Sequence, residues 1–385
     1  MQDKELTGNA GRGRRLGHIA ELDGLRALAV VLVIFHHIHL RWPTAFSSVS
    51  GLAQDGWVGV DIFFVLSGFL ITSILLTSDR SLRSLRDFYI KRAARIWPLY
   101  YFLLLLVCVD AYHVHQSYPW RPSLVLIQNF LPAFPNLGFN QTWSLCIEEQ
   151  FYFFWPLLVL FAPRKWLQWI IGAVLLVSPV LREIAIHQGV IPKLLYTATP
   201  YRLDAIAMGS AIALAYQRIS RQRIGQLGRW VFPPALVATV VLFYLHRSEF
   251  WPRSAVAYSL LAVTAGALLC MVLSPNSRFL GAVLRMRGLR WLGSISYGLY
   301  LLHPLVFGLA SKLRLPSAWE EMALSLCVSV LAAALSWHLV EKRLIRSARR
   351  YIETSAQTHR TKPVGAGNIA ALIATDRPVD QSPTA

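Results

Sequence analysis

Long apolar runs, separated by short polar stretches, recur along most of the 385-residue chain. A helix that crosses about 30 Å of hydrocarbon needs about 20 mostly apolar residues. The pattern therefore predicts an all-α fold, a polytopic membrane bundle. We predict ten membrane-spanning helices, near residues 24–41, 58–77, 97–112, 145–162, 166–187, 203–217, 230–246, 254–273, 291–311 and 321–340.

Both ends of the chain differ from the segments between them. They are polar, rich in small residues and without apolar periodicity, so neither end buries enough surface to fold alone. We predict a disordered cytoplasmic arm at residues 1–18, one membrane domain at 19–345 and a largely disordered basic cytoplasmic tail at 346–385.

Composition and charge support the membrane assignment. Hydrophobic residues make up 55% of the chain and charged residues 15%, which argues against soluble domains. The net charge is +18, and most Lys and Arg residues fall in alternate loops and in the two ends. This asymmetry predicts that both termini are cytoplasmic. It also explains the basic charge through orientation in a lipid bilayer, so we expect no nucleic-acid partner.

The segment SLRSLRDFYIKRAARIWPLYY, residues 81–101, combines apolar and basic positions at helical spacing. It predicts an amphipathic helix on the cytoplasmic face before the third spanning helix. Two interpretations remain open. The basic face is either an anchor for anionic lipid or the wall of an anion-binding site.

The four cysteines offer no sign of a metal site. Cys108, Cys146, Cys270 and Cys327 lack the spacing of metal ligands and fall in or beside apolar runs. We predict buried thiols and no metal.

Ionisable side chains inside a predicted membrane helix are functional candidates, because each is costly to insert. Arg26 lies near the cytoplasmic end of the first helix, and His37 lies eleven residues further, about 16 Å along the axis. Glu148 enters the fourth helix at a depth that matches His37. The two could form a histidine–carboxylate pair that serves proton transfer, or they could hold the helices together; the spacing favours neither.

Two other polar groups have structural interpretations. Arg202 and Asp204, at the start of the sixth helix, are expected to form a structural ion pair. Ser67, followed by Gly68, is of a size that allows close helix packing.

Taken together, six sequence blocks resemble the integral-membrane acyltransferase 3 family over about residues 20–343. LDGLRALAVVLVIFHH resembles the family's signature of an arginine and a histidine separated by ten residues, with Arg26 and His37 in the matching places. Five further blocks follow in the family's order: GVDIFFVLSGFLI, FYIKRAARIWPLYY, TWSLCIEEQFYFFWP, YRLDAIAMGSAIA and LGSISYGLYLLHPLV.

The resemblance implies transfer of an acyl group, acetyl by default, from cytoplasmic acyl-CoA to a hydroxyl of a sugar-containing acceptor. That acceptor would be a cell-surface polysaccharide, a glycolipid or a glycosylated metabolite. The resemblance also implies a bacterial plasma membrane location. By the same resemblance His37 is the catalytic base, Glu148 is its partner, and Arg92 and Arg95 contact the nucleotide, with Arg26 as a further cation for its phosphates.

The reaction also needs groups that stabilise the tetrahedral oxyanion or hold the substrate. The candidates are Ser67, Trp143, Ser144 and Tyr300. Direct transfer and a covalent acyl-enzyme intermediate both remain open. The extracytoplasmic domain that some family members carry is not expected here, so the acceptor is served by the membrane domain or by a separate periplasmic transfer partner.

Two other classes of function compete with the enzyme. In a proton-coupled transporter or flippase of an anionic or glycolipid substrate, the same histidine and carboxylate would relay protons. A structural membrane protein would respond neither to acyl-CoA nor to a proton gradient. Stabilisation of the purified protein by acyl-CoA distinguishes the enzyme from both.

Overall fold

A computed structural model describes residues 17–43, 54–132, 138–245, 254–313 and 315–361. Most of the predicted N-terminal arm and residues 362–385 of the predicted tail lie outside these described residues. Within them the chain forms helices and no strand. The structure is therefore all-α, as the apolar pattern predicts.

The first half of the chain forms eight α-helices within the described residues. Six have 16 residues or more and two, α4 and α7, are short. They are α1 (Ala20–Arg41), α2 (Gly59–Leu76), α3 (Leu82–His113), α4 (Trp120–Leu124), α5 (Trp143–Phe161), α6 (Arg164–His187), α7 (Pro192–Thr197) and α8 (Leu203–Arg218). Short 3₁₀ turns connect some of them, at Asp55–Val58, Gln128–Phe130, Asn140–Thr142 and Thr199–Tyr201.

The second half contributes seven more helices. They are α9 (Arg221–Leu245), α10 (Ala257–Val272), α11 (Arg278–Leu284), α12 (Arg287–Ser294), α13 (Ser296–Ala310), α14 (Ala318–Ser336) and α15 (Lys342–Thr361). A 3₁₀ turn at Ser311–Leu313 follows α13, and a π-helical turn at Trp337–Glu341 joins α14 to α15.

Each of the ten predicted spans coincides with helix, which confirms a polytopic membrane fold. Among the described residues, seven helices are long and apolar enough to cross a membrane, and α12 with α13, bent by 69°, makes an eighth if the pair is one span. The remaining two, α8 and α10, have 16 residues each. They are shorter than a full crossing requires. Ten spans and the cytoplasmic orientation of the termini stay predictions.

The predicted amphipathic helix is not a separate element. Residues 82–113 form one continuous 32-residue helix, α3, that contains Pro98. Proline is tolerated within membrane helices because neighbouring groups satisfy the freed carbonyl. The basic face and the apolar span are thus rigidly joined.

The predicted boundary at residue 345 falls inside a helix. α15 runs through Lys342–Thr361, so residues 346–361 of the predicted disordered tail are helical in the structure. Its buried residues Ala348 and Ile352 are four positions apart and share one face. That face packs on α3, where Arg86 donates to the Ser355 hydroxyl at 3.3 Å.

The core centres on α2, which packs closely against α8. Gly68 of α2 lies against the backbone of Ile206, and Gly209 of α8 lies against the backbone of Val65. Glycine allows two helix backbones to approach because no Cβ separates them. The reciprocal contact fixes the relative position of the two helices.

We expect Gly209→Ala to lower the free energy of unfolding by about 1–3 kcal/mol, because its Cβ would overlap the Val65 carbonyl oxygen. Thermal unfolding of the detergent-solubilised protein measures this. Gly172→Ala is the matched control, since no atom lies within 4 Å of the added Cβ. Equal midpoints for the two variants would contradict the packing argument.

Buried ion pairs cross the same core, but not between the predicted partners. Arg202 Nη2 donates to both carboxylate oxygens of Asp61, at 2.8 Å each, and Arg182 Nη2 donates to Asp204 Oδ2 at 2.8 Å. The predicted Arg202–Asp204 pair is therefore wrong. Residues two apart on a helix point to different sides, so each reaches another helix instead.

Candidate active site

Three guanidinium groups and one carboxylate line a small cavity between α1, α2, α3, α5 and α13. Its volume is about 70 Å³, and we call it the small cavity. The charged lining residues are Arg26, Arg92, Arg95 and Glu148. Three cations facing a single anion leave the lining with an excess of positive charge. Such a lining favours an anionic ligand.

Glu148 is held by a chain of hydrogen bonds. The Ser67 hydroxyl donates to Glu148 Oε1, and the Tyr152 hydroxyl donates to Ser67 Oγ at 3.0 Å. The Arg92 guanidinium lies over the Tyr152 ring, 5.4 Å from its centroid. Ser67 therefore serves as a hydrogen-bond donor to the Glu148 carboxylate, in addition to being small enough for close helix packing.

A second and much larger cavity, of about 630 Å³, lies beyond the small one; we call it the large cavity. That volume is within the range of binding sites for small organic ligands. Aromatic rings and side-chain amides line much of it, among them Trp57, Trp143, Tyr196, Gln128, Asn129 and Gln141.

His37 lines the large cavity, half-buried, near the C-terminal end of α1. Its Nδ1 contacts the Val33 carbonyl oxygen at 2.9 Å. Since a carbonyl can only accept, Nδ1 carries the proton and Nε2 is left with a lone pair. A neutral imidazole in this tautomer is suited to take a proton.

His303 of α13 packs against His37, with ring centroids 4.8 Å apart and an interplanar angle of 78°. It is fully buried, and its Nδ1 donates to the Leu299 carbonyl at 2.9 Å. Its Nε2 has no hydrogen-bond partner within the described part of the chain. The sequence shows His303 only as one buried polar residue within an apolar helix. Its contact with His37 depends on the packing of α13 against α1.

The Tyr300 side chain lies where the two cavities approach each other. Tyr300 and Val60 line both cavities. The Tyr300 hydroxyl lies 2.6 Å from Ser144 Oγ and 2.8 Å from the Gln141 carbonyl oxygen. The predicted oxyanion candidates Tyr300 and Ser144 are therefore direct neighbours, between the arginines and His37.

Trp143, the other predicted candidate, belongs to the wall of the large cavity. Its ring lies 4.5 Å from that of Tyr196 and 5.9 Å from the Arg202 guanidinium. It packs the aromatic wall and does not join the hydroxyl network of Tyr300.

The structure does not bring His37 and Glu148 together in the pair that their matched depths leave open. No hydrogen bond or ion pair joins these two described side chains, because Glu148 turns toward α2 and the arginines while His37 turns toward α13. Equal depth fixes only the position along an axis. The rotation of each helix decides which neighbour a side chain meets.

Glu149, the next residue, takes a different partner. Its Oε2 accepts from Trp97 Nε1 at 3.0 Å, and its Oε1 has no partner among the described residues. The two adjacent carboxylates thus face different surroundings, as the 100° rotation per residue requires.

The cysteines form no disulfide among the described residues, and no group of three His, Cys, Asp or Glu side chains is placed there to hold a metal ion. Cys146 and Cys270 are buried, as predicted. Cys108 is half-buried and Cys327 is exposed, so the prediction of buried thiols is wrong for Cys327. An apolar helix in a bundle has a side that faces away from its neighbours.

Comparison with known proteins adds to this geometry. A family model described as an acyltransferase domain matches residues 19–341. "Putative peptidoglycan O-acetyltransferase YrhL" of Bacillus subtilis (strain 168) is 33% identical over 380 residues, which cover 90% of this chain and 58% of the relative. "Peptidoglycan O-acetyltransferase OatA" of Listeria monocytogenes serovar 1/2a (strain ATCC BAA-679 / EGD-e) is 28% identical over 395 residues, covering 93% and 61%. No solved structure matches the chain.

This chain therefore spans about three fifths of the length of the two relatives. The similarity covers the multi-helix part that holds both cavities.

Proposed function

We propose, because the chain belongs to the acyltransferase family whose domain covers residues 19–341, that it transfers an acyl group from acyl-CoA to a hydroxyl of a sugar-containing acceptor. One observation carries the proposal. A cation-lined cavity and a histidine-lined cavity share the wall made by Tyr300 and Val60. A donor held on one side and an acceptor on the other would meet at that wall.

The donor suits the small cavity and the space outside it. Phosphate oxygens bind guanidinium forks, and Arg26, Arg92 and Arg95 line this cavity. Among the described lining residues, Glu148 is their one counter-charge. At about 70 Å³ the cavity is far too small for a nucleotide or a whole pantetheine arm, so we place only the thioester end of that arm there. The thioester would then lie near Tyr300, with the phosphates at the arginines or beyond.

The acceptor suits the large cavity. Peptidoglycan O-acetyltransferase is the name of both relatives, so a peptidoglycan-like glycan is our proposed acceptor and acetyl is our proposed acyl group. Aromatic faces and amides are typical walls for a sugar, because they match its apolar and hydroxyl surfaces. The reaction would take place at a bacterial plasma membrane, with a separate periplasmic partner for acceptors beyond the reach of the membrane domain.

His37 serves as the general base. Its Nε2 takes the proton from an acceptor hydroxyl, and the resulting alkoxide attacks the thioester carbonyl carbon. The tetrahedral oxyanion is stabilised by a hydroxyl of the Tyr300–Ser144 pair. When the carbon–sulfur bond breaks, the His37 imidazolium returns the proton to the departing thiolate, which balances the reaction.

The other site residues support this step without touching the acceptor. His303 packs on the His37 ring and holds its orientation. Glu148 fixes Ser67 and balances part of the arginine charge, so it acts on the donor side and not as the partner of the base. This assignment differs from the histidine–carboxylate pair, which the sequence leaves open as one of two alternatives and which the family resemblance implies.

The test of the proposal is a transfer assay with the purified protein. Acetyl-CoA should raise its melting temperature, and free thiol should appear only when a glycan acceptor is present. A transporter would show neither response. Absence of both responses across a panel of glycans would overturn the proposed function.

We expect Arg95→Gln to raise the KM for acetyl-CoA about tenfold or more, because a hydrogen bond to a charged group is worth about 1.5–3 kcal/mol. The rise of melting temperature with acetyl-CoA should shrink in parallel. Arg83→Gln is the matched control, since Arg83 lies on the same helix, is exposed and lines neither cavity. An unchanged KM in Arg95→Gln would remove Arg95 from the donor site.

A further inference from the structure

Charged side chains are distributed unevenly around the large cavity. Its lining holds three cations, Arg41, Lys193 and Lys312, and one carboxylate, Asp110. Lys312 Nζ lies 3.3 Å from Asp110 Oδ1, and Arg41 Nη2 lies 3.9 Å from Glu321 Oε1. Two of the three cations thus have a carboxylate nearby.

Lys193 is the exception. No carboxylate among the described residues lies within ion-pair distance of its ammonium group, although the side chain is half-buried. Burial lowers the pKa of Lys193 below its ordinary value, and no carboxylate of the described segments offsets this effect. A half-buried cation without a counter-charge is a site that an anionic group would complete.

The backbone that carries Lys193 is firmly placed. It belongs to α7, whose Thr197 exchanges hydrogen bonds with Asn129: the Thr197 hydroxyl donates to the Asn129 carbonyl at 2.9 Å, and Asn129 Nδ2 donates to the Thr197 carbonyl at 3.2 Å. The same Thr197 hydroxyl lies 3.0 Å from the Lys193 carbonyl. Lys193 therefore approaches the cavity from a rigid support, which favours specific recognition.

Two glutamines of the same lining have unmet hydrogen-bond capacity. Gln141 Nε2 donates to the carbonyls of Gly138 and Leu301, which fixes the amide orientation, and its Oε1 has no donor. Gln128 likewise uses its Nε2 and leaves Oε1 without a partner. Both side chains are at least nine-tenths buried. These two oxygens have almost no accessible surface, so they lie behind the cavity surface and Lys193 is the group that meets a charged ligand.

We infer that the acceptor of this protein is an acidic saccharide, and that Lys193 selects it by binding its carboxylate or phosphate group in the large cavity. The inference rests on the proposed function, since it names the acceptor class of the same site. The aromatic wall of Trp57, Trp143 and Tyr196 would hold the sugar ring.

The test compares acceptors that differ only in charge. N,N′-diacetylchitobiose bearing a lactyl ether carboxylate on one sugar is compared with the same compound as its neutral lactamide. We expect the wild type to favour the carboxylate at least about tenfold in kcat/KM, as for a charge-assisted hydrogen bond. This preference should fall toward one in Lys193→Gln, persist in Lys193→Arg and weaken with salt.

Lys165→Gln is the control for loss of a lysine, because Lys165 is exposed and lines neither cavity. A phosphate ester at the position of the lactyl ether shows which anion is preferred. A wild-type ratio near one, or an undiminished ratio in Lys193→Gln, overturns the inference.

Failure of the inference and failure of the proposed function give different results. Transfer to both compounds at equal rates leaves the acyltransferase standing and removes the charge selection. If neither compound is acylated, their dissociation constants are measured by calorimetry with the wild type. Tighter binding of the carboxylate compound then supports the inference although transfer has failed, and equal binding or no binding overturns it.

Discussion

Replacing His37 with alanine is expected to lower the turnover of acyl transfer by about 10²–10⁴-fold, the usual contribution of a general base. The large cavity loses the only imidazole whose Nε2 we assign to the acceptor proton. The packing loss is small, since the side chain is half-buried and lines open space. We expect the protein to insert, purify and bind acetyl-CoA, with thiol release reduced to background in a colorimetric assay.

His39→Ala is the matched control. His39 lies half a turn further along the same helix and does not line the large cavity, so its removal should leave turnover within a few-fold of wild type. Near-normal turnover in His37→Ala would remove His37 as the base. Equal loss in both variants would point to a disturbed helix end instead of lost chemistry.

The largest effect on stability is expected from Asp61→Asn. The Asp61 and Arg202 side chains are 1% exposed, and the guanidinium also lies 4.3 Å from the Tyr258 ring centroid. Removing the carboxylate charge leaves a buried cation without its counter-ion, which costs about 3–5 kcal/mol. We expect the thermal midpoint of the detergent-solubilised protein to fall by about 10 °C.

Two further variants separate the buried charge from other causes. Asp110→Asn removes one partner of the Lys312 pair, which is more exposed, and should cost about 1 kcal/mol or less. Replacing Asp61 with leucine and Arg202 with methionine together should recover much of the lost stability, because no charge is then left unpaired. A midpoint unchanged by Asp61→Asn would show that the ion pair contributes little.

The apolar runs along the chain were sufficient to locate the helices. The apolar residues of a run show by themselves that the segment is a buried or membrane-embedded helix. The helix can therefore be located along the chain without knowing which helices surround it. Helix ends were less well determined. The basic stretch at the start of α3 and the segment 346–361 of α15 are both helical, because helical propensity and packing on a neighbour extend each helix past the apolar run.

The candidate site was predictable in part for the same reason. Arg26 and Glu148 are costly inside a membrane helix, which marks them without any knowledge of their neighbours. Arg92 and Arg95 lie on the basic face of the predicted amphipathic helix, and the family resemblance gives them their role. The structure brings these four around one cavity. The sequence does not identify Lys193 as a functional candidate, because lysine is common in the segments that connect membrane helices. Only the structure shows that Lys193 lines the large cavity.

The sequence by itself determined that this protein is a helical membrane bundle with ionisable groups at identifiable depths. Only the tertiary structure decided their partners: Asp61 with Arg202, Asp204 with Arg182, Glu148 with Ser67, and His37 with His303. Depth follows from counting residues along one helix. A partner depends on how two helices are rotated and which of them are adjacent, and that is set by packing contacts between residues far apart in the chain.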